Sequence, residues 1–205
     1  MLQGPRIWTF LAFLIPLVTS HVLLKRAPIV IGYRTVDIKQ INQFAKAGNT
    51  LFYDPDRVTL SQTGKGSYLS PKLGDWAAGT WYCAILADSA AWDQVNKAWM
   101  PPNDCDKPLW WDQGEPNRNE YLKNMGGPGF TTDNTVIFSK IDLGQNGDKK
   151  LQMQIPPSLI GGKGGLQFPV QCAATTDQAA LRSLESYGDV DWYSWNNVKG
   201  EPQRF

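Results

Sequence analysis

Residues 28–48 read PIVIGYRTVDIKQINQFAKAG, and two periods meet inside them. Pro28 to Val36 is rich in β-branched and aromatic residues and reads as a strand. From Asp37 to Ala47 the positions Ile38, Ile41, Phe44 and Ala45 fall at helical spacing, with Thr35 or Asp37 able to cap the start and Gly48 to end it. A strand feeding straight into an amphipathic helix sets the expectation for the rest of the chain, an α+β fold.

Outward from this unit, short periodic segments alternate with Gly, Pro and Asn clusters, without a repeat or a long linker. Strands are expected at Ser67 to Ser70, Thr80 to Leu86, Thr135 to Ser139, Leu151 to Ile155 and Leu166 to Val170. Helices are expected at Ala90 to Trp99, with Trp92, Val95 and Trp99 on one face, at Asn117 to Asn124, and at Asp177 to Leu184. The tail from about Tyr187 to Phe205 is expected on the surface or as a loosely packed strap.

The 205 residues are 42% hydrophobic and 19% charged, with 20 Lys plus Arg against 19 Asp plus Glu. This balance suits one globular domain and gives no electrostatic footprint for nucleic acid or an anionic membrane surface. Arg6 precedes an apolar run, Ile7 to Val18, of signal-peptide length and too short to span a bilayer. Val18 and Ser20 fit a small-residue cleavage site, so residues 1–20 are expected to be a signal peptide. Lys25-Arg26 forms a dibasic pair of the kind kexin-like proteases cut after, which makes 21–26 a propeptide and 27–205 a single secreted domain.

The chain has one histidine, His21, and it lies in this leader. Residues 27–205 therefore hold no imidazole for Ser-His-Asp or Cys-His catalysis and no histidine for a zinc or copper site. Cys83, Cys105 and Cys172 lack C-x-x-C spacing, so no metal is expected. In an oxidising compartment three cysteines imply one disulfide and one free thiol, with three pairings open. The strand-like surroundings of Cys83 and Cys172, against the polar segment around Cys105, favour Cys83 with Cys172. A loop of about 90 residues closed in this way adds roughly 4 kcal/mol in the chain-entropy picture.

Three local signatures stand in a telling order. They are Gly32-Tyr33-Arg34 at a strand end, Ser67-Tyr68-Leu69-Ser70 after a Gly-rich loop, and Leu151-Gln152-Met153-Gln154-Ile155-Pro156-Pro157. In this order they resemble the ADP-ribosyltransferases of the Arg-Ser-Glu type, the family of the cholera and heat-labile enterotoxin A chains. The resemblance implies a split β-sheet core with flanking helices and an NAD pocket. By resemblance Arg34 supports the NAD phosphate or ribose, with Tyr68 and Ser70 beside it, and Gln152 and Gln154 stand at the catalytic Glu-x-Glu position. Pro71 and Lys72 replace the Thr and Ser that follow the family's serine. An amide in place of the catalytic glutamate still hydrogen-bonds but supplies no negative charge to an oxocarbenium-like transition state. Glu115 and Glu120 are the carboxylates considered as replacements, and the N-terminal part of a solvated helix is their ordinary reading.

Among the tryptophans, Trp110, Trp111, Trp192 and Trp195 sit in polar loop or tail sequence, where aromatics suit a protein-binding surface. The resulting expectation is a monomeric secreted effector of fungal type on a catalytically degenerate transferase scaffold. It would bind or inhibit a host protein, a secreted protease for example. The alternative is an active mono-ADP-ribosyltransferase or NAD glycohydrolase using Arg34 and Ser70, with NAD as the cofactor.

Overall fold

A computed structural model describes residues 28–57, 61–76, 79–142, 150–161 and 165–205. The expected signal peptide and propeptide, with Ser20, Lys25 and Arg26, lie outside the described residues. The fold is α+β.

The opening segment forms strand β1 (Pro28–Val36) and helix α1 (Ile38–Lys46). Asp37 caps α1 by accepting from the Gln40 amide at 2.9 Å, which satisfies one of the orphan donors of the first turn. The strands β2 (Ser67–Leu69), β3 (Trp81–Asp88), β7 (Thr135–Lys140) and β8 (Leu151–Ile155), and helix α4 (Gln178–Glu185), fall close to their expected places. Helix α3 (Trp111–Gly126) starts before its expected first residue and carries Pro116 in its interior.

Two segments differ in kind. Residues 90–99 were expected as one helix, but a single short helix, α2 (Ser89–Asp93), gives way to strand β4 (Asn96–Trp99). β4 pairs in parallel with β7, and its Lys97, Ala98 and Trp99 are all at most 1% exposed. A strand buried on both faces shows no alternation, so its apolar residues passed for the end of a helical stripe. The strand expected at 166–170 starts later, as β9 (Val170–Ala174). Pro169, which has no N–H to give a ladder, marks the boundary.

β1, β3 and β9 make one antiparallel sheet. A second, five-stranded sheet has the order β10-β4-β7-β8-β2, where β10 (Val198–Lys199) comes from the tail. A small hairpin of β5 (Asn103–Asp104) and β6 (Lys107–Pro108) lies apart from both. The sheets are stitched where β1 meets the end of β2: Tyr33 and Ser70 exchange both backbone hydrogen bonds, each 2.8 Å.

The main core lies between the sheets, with Ile31, Cys83 and Ile85 from one and Leu69, Phe138, Met153 and Ile155 from the other. Helix α4 closes the far face of the three-stranded sheet by setting Leu181 and Leu184 against Tyr33, Ala84 and Leu86. Helix α3 closes the far face of the larger sheet, where Tyr121 and Leu122 pack on Ala98, Met100 and Ile137. Cys83 and Cys172 stand directly opposite each other on β3 and β9 and form the disulfide, while Cys105 is free and exposed.

The tail is part of the core rather than a loose strap. Trp192 is 1% exposed and donates its indole N–H to the Ile31 carbonyl at 2.9 Å. Tyr193 stacks on Trp99 with ring centroids 5.3 Å apart, and Val198 and Lys199 extend the sheet beside β4.

Candidate functional site

The three resemblance motifs fall on strands that are neighbours. β1 meets β2 through the Tyr33–Ser70 exchange, and Tyr68 of β2 stands opposite Gln154 of β8. Arg34, Ser70 and Gln154 are thereby brought onto adjacent strands, although their side chains are engaged differently.

Arg34 pairs in register with Cys83. One of its guanidinium nitrogens, Nη1, is buried without a hydrogen-bond partner. Burial, and secondarily the Arg57 charge, push its pKa down to about 10. Ser70 is 2% exposed, and the one proton of its hydroxyl is spent on the backbone, donated to the Lys72 carbonyl at 2.8 Å with the Tyr33 carbonyl at 3.3 Å as the more distant acceptor. Gln152 reaches across to β7 and donates to Ser139 Oγ at 3.1 Å.

Gln154 opens into a cleft of about 510 Å3 between the 61–65 loop, the first half of α3 and the 157–158 turn. Thr63, Lys65, Asp112, Glu115, Arg118, Asn119, Asp133 and Ser158 line it with Gln154. Gln154 is 1% exposed. Its Nε2 donates to the Lys65 carbonyl at 2.5 Å, and its Oε1 is buried with no partner. The close approach requires Gly66, since a Cβ there would collide with the Gln154 amide and the Ile155 carbonyl. Tyr68 braces the same loop: its hydroxyl donates to the Gly64 carbonyl at 2.7 Å and accepts from the Thr63 amide at 3.1 Å. Burial raises the Tyr68 pKa, so this phenol stays a donor.

Arg118 forms the floor on the α3 side. It is 5% exposed, and its Nε donates to the Leu109 carbonyl at 2.7 Å while Nη2 reaches the carbonyls of Gln62 and Trp111. Desolvation lowers its pKa, but the guanidinium remains charged and fixed. Trp111, which begins α3, adopts φ 59° and is held by its backbone N–H on Gln62 O at 2.7 Å and its indole on Asp142 at 2.9 Å. A tryptophan in the left-handed region persists only where its surroundings hold it.

Of the two replacement carboxylates, Glu115 lines the cleft with Gln154. Glu120 instead binds Lys107 at 2.9 Å and is not among the lining residues. Arg34 does not line the cleft either. The four tryptophans expected to suit a protein-binding surface differ in exposure, and only Trp192 is withdrawn from any such surface. Trp192 is buried, and Trp110 is half-buried with its indole on the Met100 carbonyl at 3.1 Å. Trp195 is half-buried against Trp92 and Phe138. Polar flanking sequence hid the roles of Trp192 and Trp195 because the indole N–H of one and the ring of the other find their partners across the chain rather than nearby.

Sequence reasoning also missed Arg118. It lies with Gly114, Tyr121 and Leu122 on the buried stripe of α3, a charged residue at an apolar spacing, and that was the available signal. Among the described residues no cluster of His, Cys, Asp or Glu could hold a metal, and no helix is long and apolar enough to cross a membrane.

No curated protein matches the chain. Residues 61–201, a span that includes every residue lining the cleft, match the model of a family of unknown function, DUF5910, and the chain belongs to that family.

Proposed function

We infer that the protein is a secreted effector on an ADP-ribosyltransferase-like scaffold that acts by binding a host protein at the Gln154 cleft rather than by turning over NAD. The observation that carries this reading is the hydrogen bond from Gln154 Nε2 to the Lys65 carbonyl. A glutamate carboxylate is an acceptor only and could not make that bond, so the wall of the cleft is built around an amide. The Ser70 hydroxyl is likewise committed to the backbone. The Cys83–Cys172 disulfide is compatible with an oxidising, extracellular setting.

The alternative, a working transferase or NAD glycohydrolase, draws support from Glu115 in the same cleft and from the unpaired Arg34 Nη1. We favour binding because the glycosyl-transfer step needs a preorganised negative charge at the ribose, and Gln154 supplies none.

Lys65 and Glu115 are exposed, and both line the cleft, so reversing their charges tests the reading without disturbing the core. A host secreted protein retained by immobilised wild type and lost by Lys65→Glu/Glu115→Lys is the expected result. Retention indifferent to the double variant would overturn it.

A further inference from the structure

The Gln154 cleft does not stand alone on its side of the molecule. Pro157 lines both the cleft and a second groove of about 440 Å3, and the 157–160 turn is the ridge between them, with Ser158 lining the cleft and Ile160 the groove. The apolar walls of the groove are Phe52, Tyr53, Pro157 and Ile160, and all four keep accessible surface, Phe52 as much as 39%. We propose, on the reading of the cleft as a binding site, that cleft and groove together take one extended peptide segment of the host protein. An apolar side chain of that segment fills the groove, and a lysine or arginine side chain enters the cleft.

Backbone hydrogen bonds fix both sides of the groove. The Leu51 amide donates to the Phe168 carbonyl at 2.8 Å and the Val170 amide to the Asn49 carbonyl at 2.9 Å, so the chain that leads into Phe52 is pinned. On the other side, the Ile160 amide donates to the Pro157 carbonyl at 3.0 Å and the Leu166 amide to the Leu159 carbonyl at 2.8 Å. Apolar walls held in this way need little further ordering when a side chain docks on them. The polar residues beside them, Thr50 and Gln167, leave the aromatic and aliphatic surface as the anchor.

The cleft sets the charge of the group that sits next to this anchor. Asp112, Glu115 and Asp133 are exposed and make no ion pair among the described residues. Of the lining cations, Arg118 is buried and held by backbone carbonyls, and Lys65 is exposed. Even with Arg118 counted, the acids that line the cleft outnumber the cations three to two. Such a cleft attracts a cationic side chain and repels a phosphate or an anionic lipid headgroup. The groove across the Pro157 ridge calls in addition for an apolar neighbour in the same ligand, which an inorganic cation lacks.

The test is to titrate the 15N-labelled protein with short peptides that carry one leucine and one lysine, set one to four residues apart in a Gly-Ser background, and to follow the backbone amides of Phe52 and Glu115. We expect at least one spacing to shift both signals saturably with a single dissociation constant. That constant should weaken roughly 10-fold in Phe52→Ala and about 5-fold in Glu115→Lys. Gln167→Arg, at an exposed position lining the groove, should weaken it in the same direction and keeps the test decisive where Phe52→Ala melts early. The proposal is overturned by no saturable shift at any spacing, by shifts at only one of the two amides, or by equal shifts from peptides with glutamate in place of lysine. Host-protein retention that Lys65→Glu/Glu115→Lys abolishes, in the absence of any such peptide binding, would leave the cleft a binding site and overturn only this account of its partner.

Discussion

Lys97 is 0% exposed in the main core, and its ammonium has two carbonyl acceptors, Trp92 O and Val95 O at 3.1 Å, and the Trp92 ring beneath it. Burial nevertheless dominates and lowers its pKa from 10.5 to about 8, with Asp93 opposing weakly. Below pH 8 the lysine is charged in folded and unfolded chains alike, so its effect on stability is constant. Above pH 8 the folded lysine releases a proton that the unfolded one keeps until about pH 10.5. The unfolded state then binds more protons, and stability rises with pH. From pH 7 to 9.5 the gain is about 2 kcal/mol, at roughly 1.4 kcal/mol per unit above pH 8. Lys97→Met keeps the chain volume and removes the titration. Urea unfolding of both proteins between pH 7 and 9.5, on a Cys105→Ser background to prevent thiol exchange at the exposed cysteine, isolates the difference. Wild type should gain on the variant by about 2 kcal/mol across this window. Parallel stability curves would refute the reasoning, whatever their offset.

Replacing both Cys83 and Cys172 by alanine opens a link between residues 89 apart and should cost roughly 4 kcal/mol in urea unfolding. A loss under about 1 kcal/mol would mean that the bridge contributes little beyond its strand pairing. Ser70→Ala removes a hydroxyl bonded to the Lys72 carbonyl and should lower stability by about 1 kcal/mol, measured by the same method. Gln154→Glu places an acceptor against the Lys65 carbonyl and should cost about 1–3 kcal/mol at pH 7. Because that carbonyl raises the new carboxyl's pKa in the folded state, the loss should shrink as pH falls from 7 toward about 4, where the folded acid regains an O–H donor before the unfolded one is protonated, and stay constant below. A penalty that does not change with pH would show that the carbonyl is not the cause.

Much of the fold was legible because local chemistry and tertiary structure agree. Asp37 caps the helix its position suggested, and Cys83 and Cys172 lie on adjacent strands, as their apolar surroundings indicated. Asn96 to Trp99 was misread because Trp99 continues the helical spacing of Trp92 and Val95, while Asn96 and the buried Lys97 hide the apolar run that a central strand normally shows. The Gln154 cleft was half legible. β8 and its two glutamines could be read, whereas the lining from Lys65, Asp112 and Arg118 depends on α3 folding across the sheet, which no local period encodes. The tail tryptophans misled for the same reason, since Trp192 finds Ile31 from the other end of the chain.

The central claim is that the Gln154 cleft binds without breaking a glycosidic bond, and nicotinamide release from NAD by the disulfide-intact domain 27–205 tests it most directly. Release no faster than the spontaneous rate is the predicted result. Release above that rate, falling on Arg34→Ala, would contradict it.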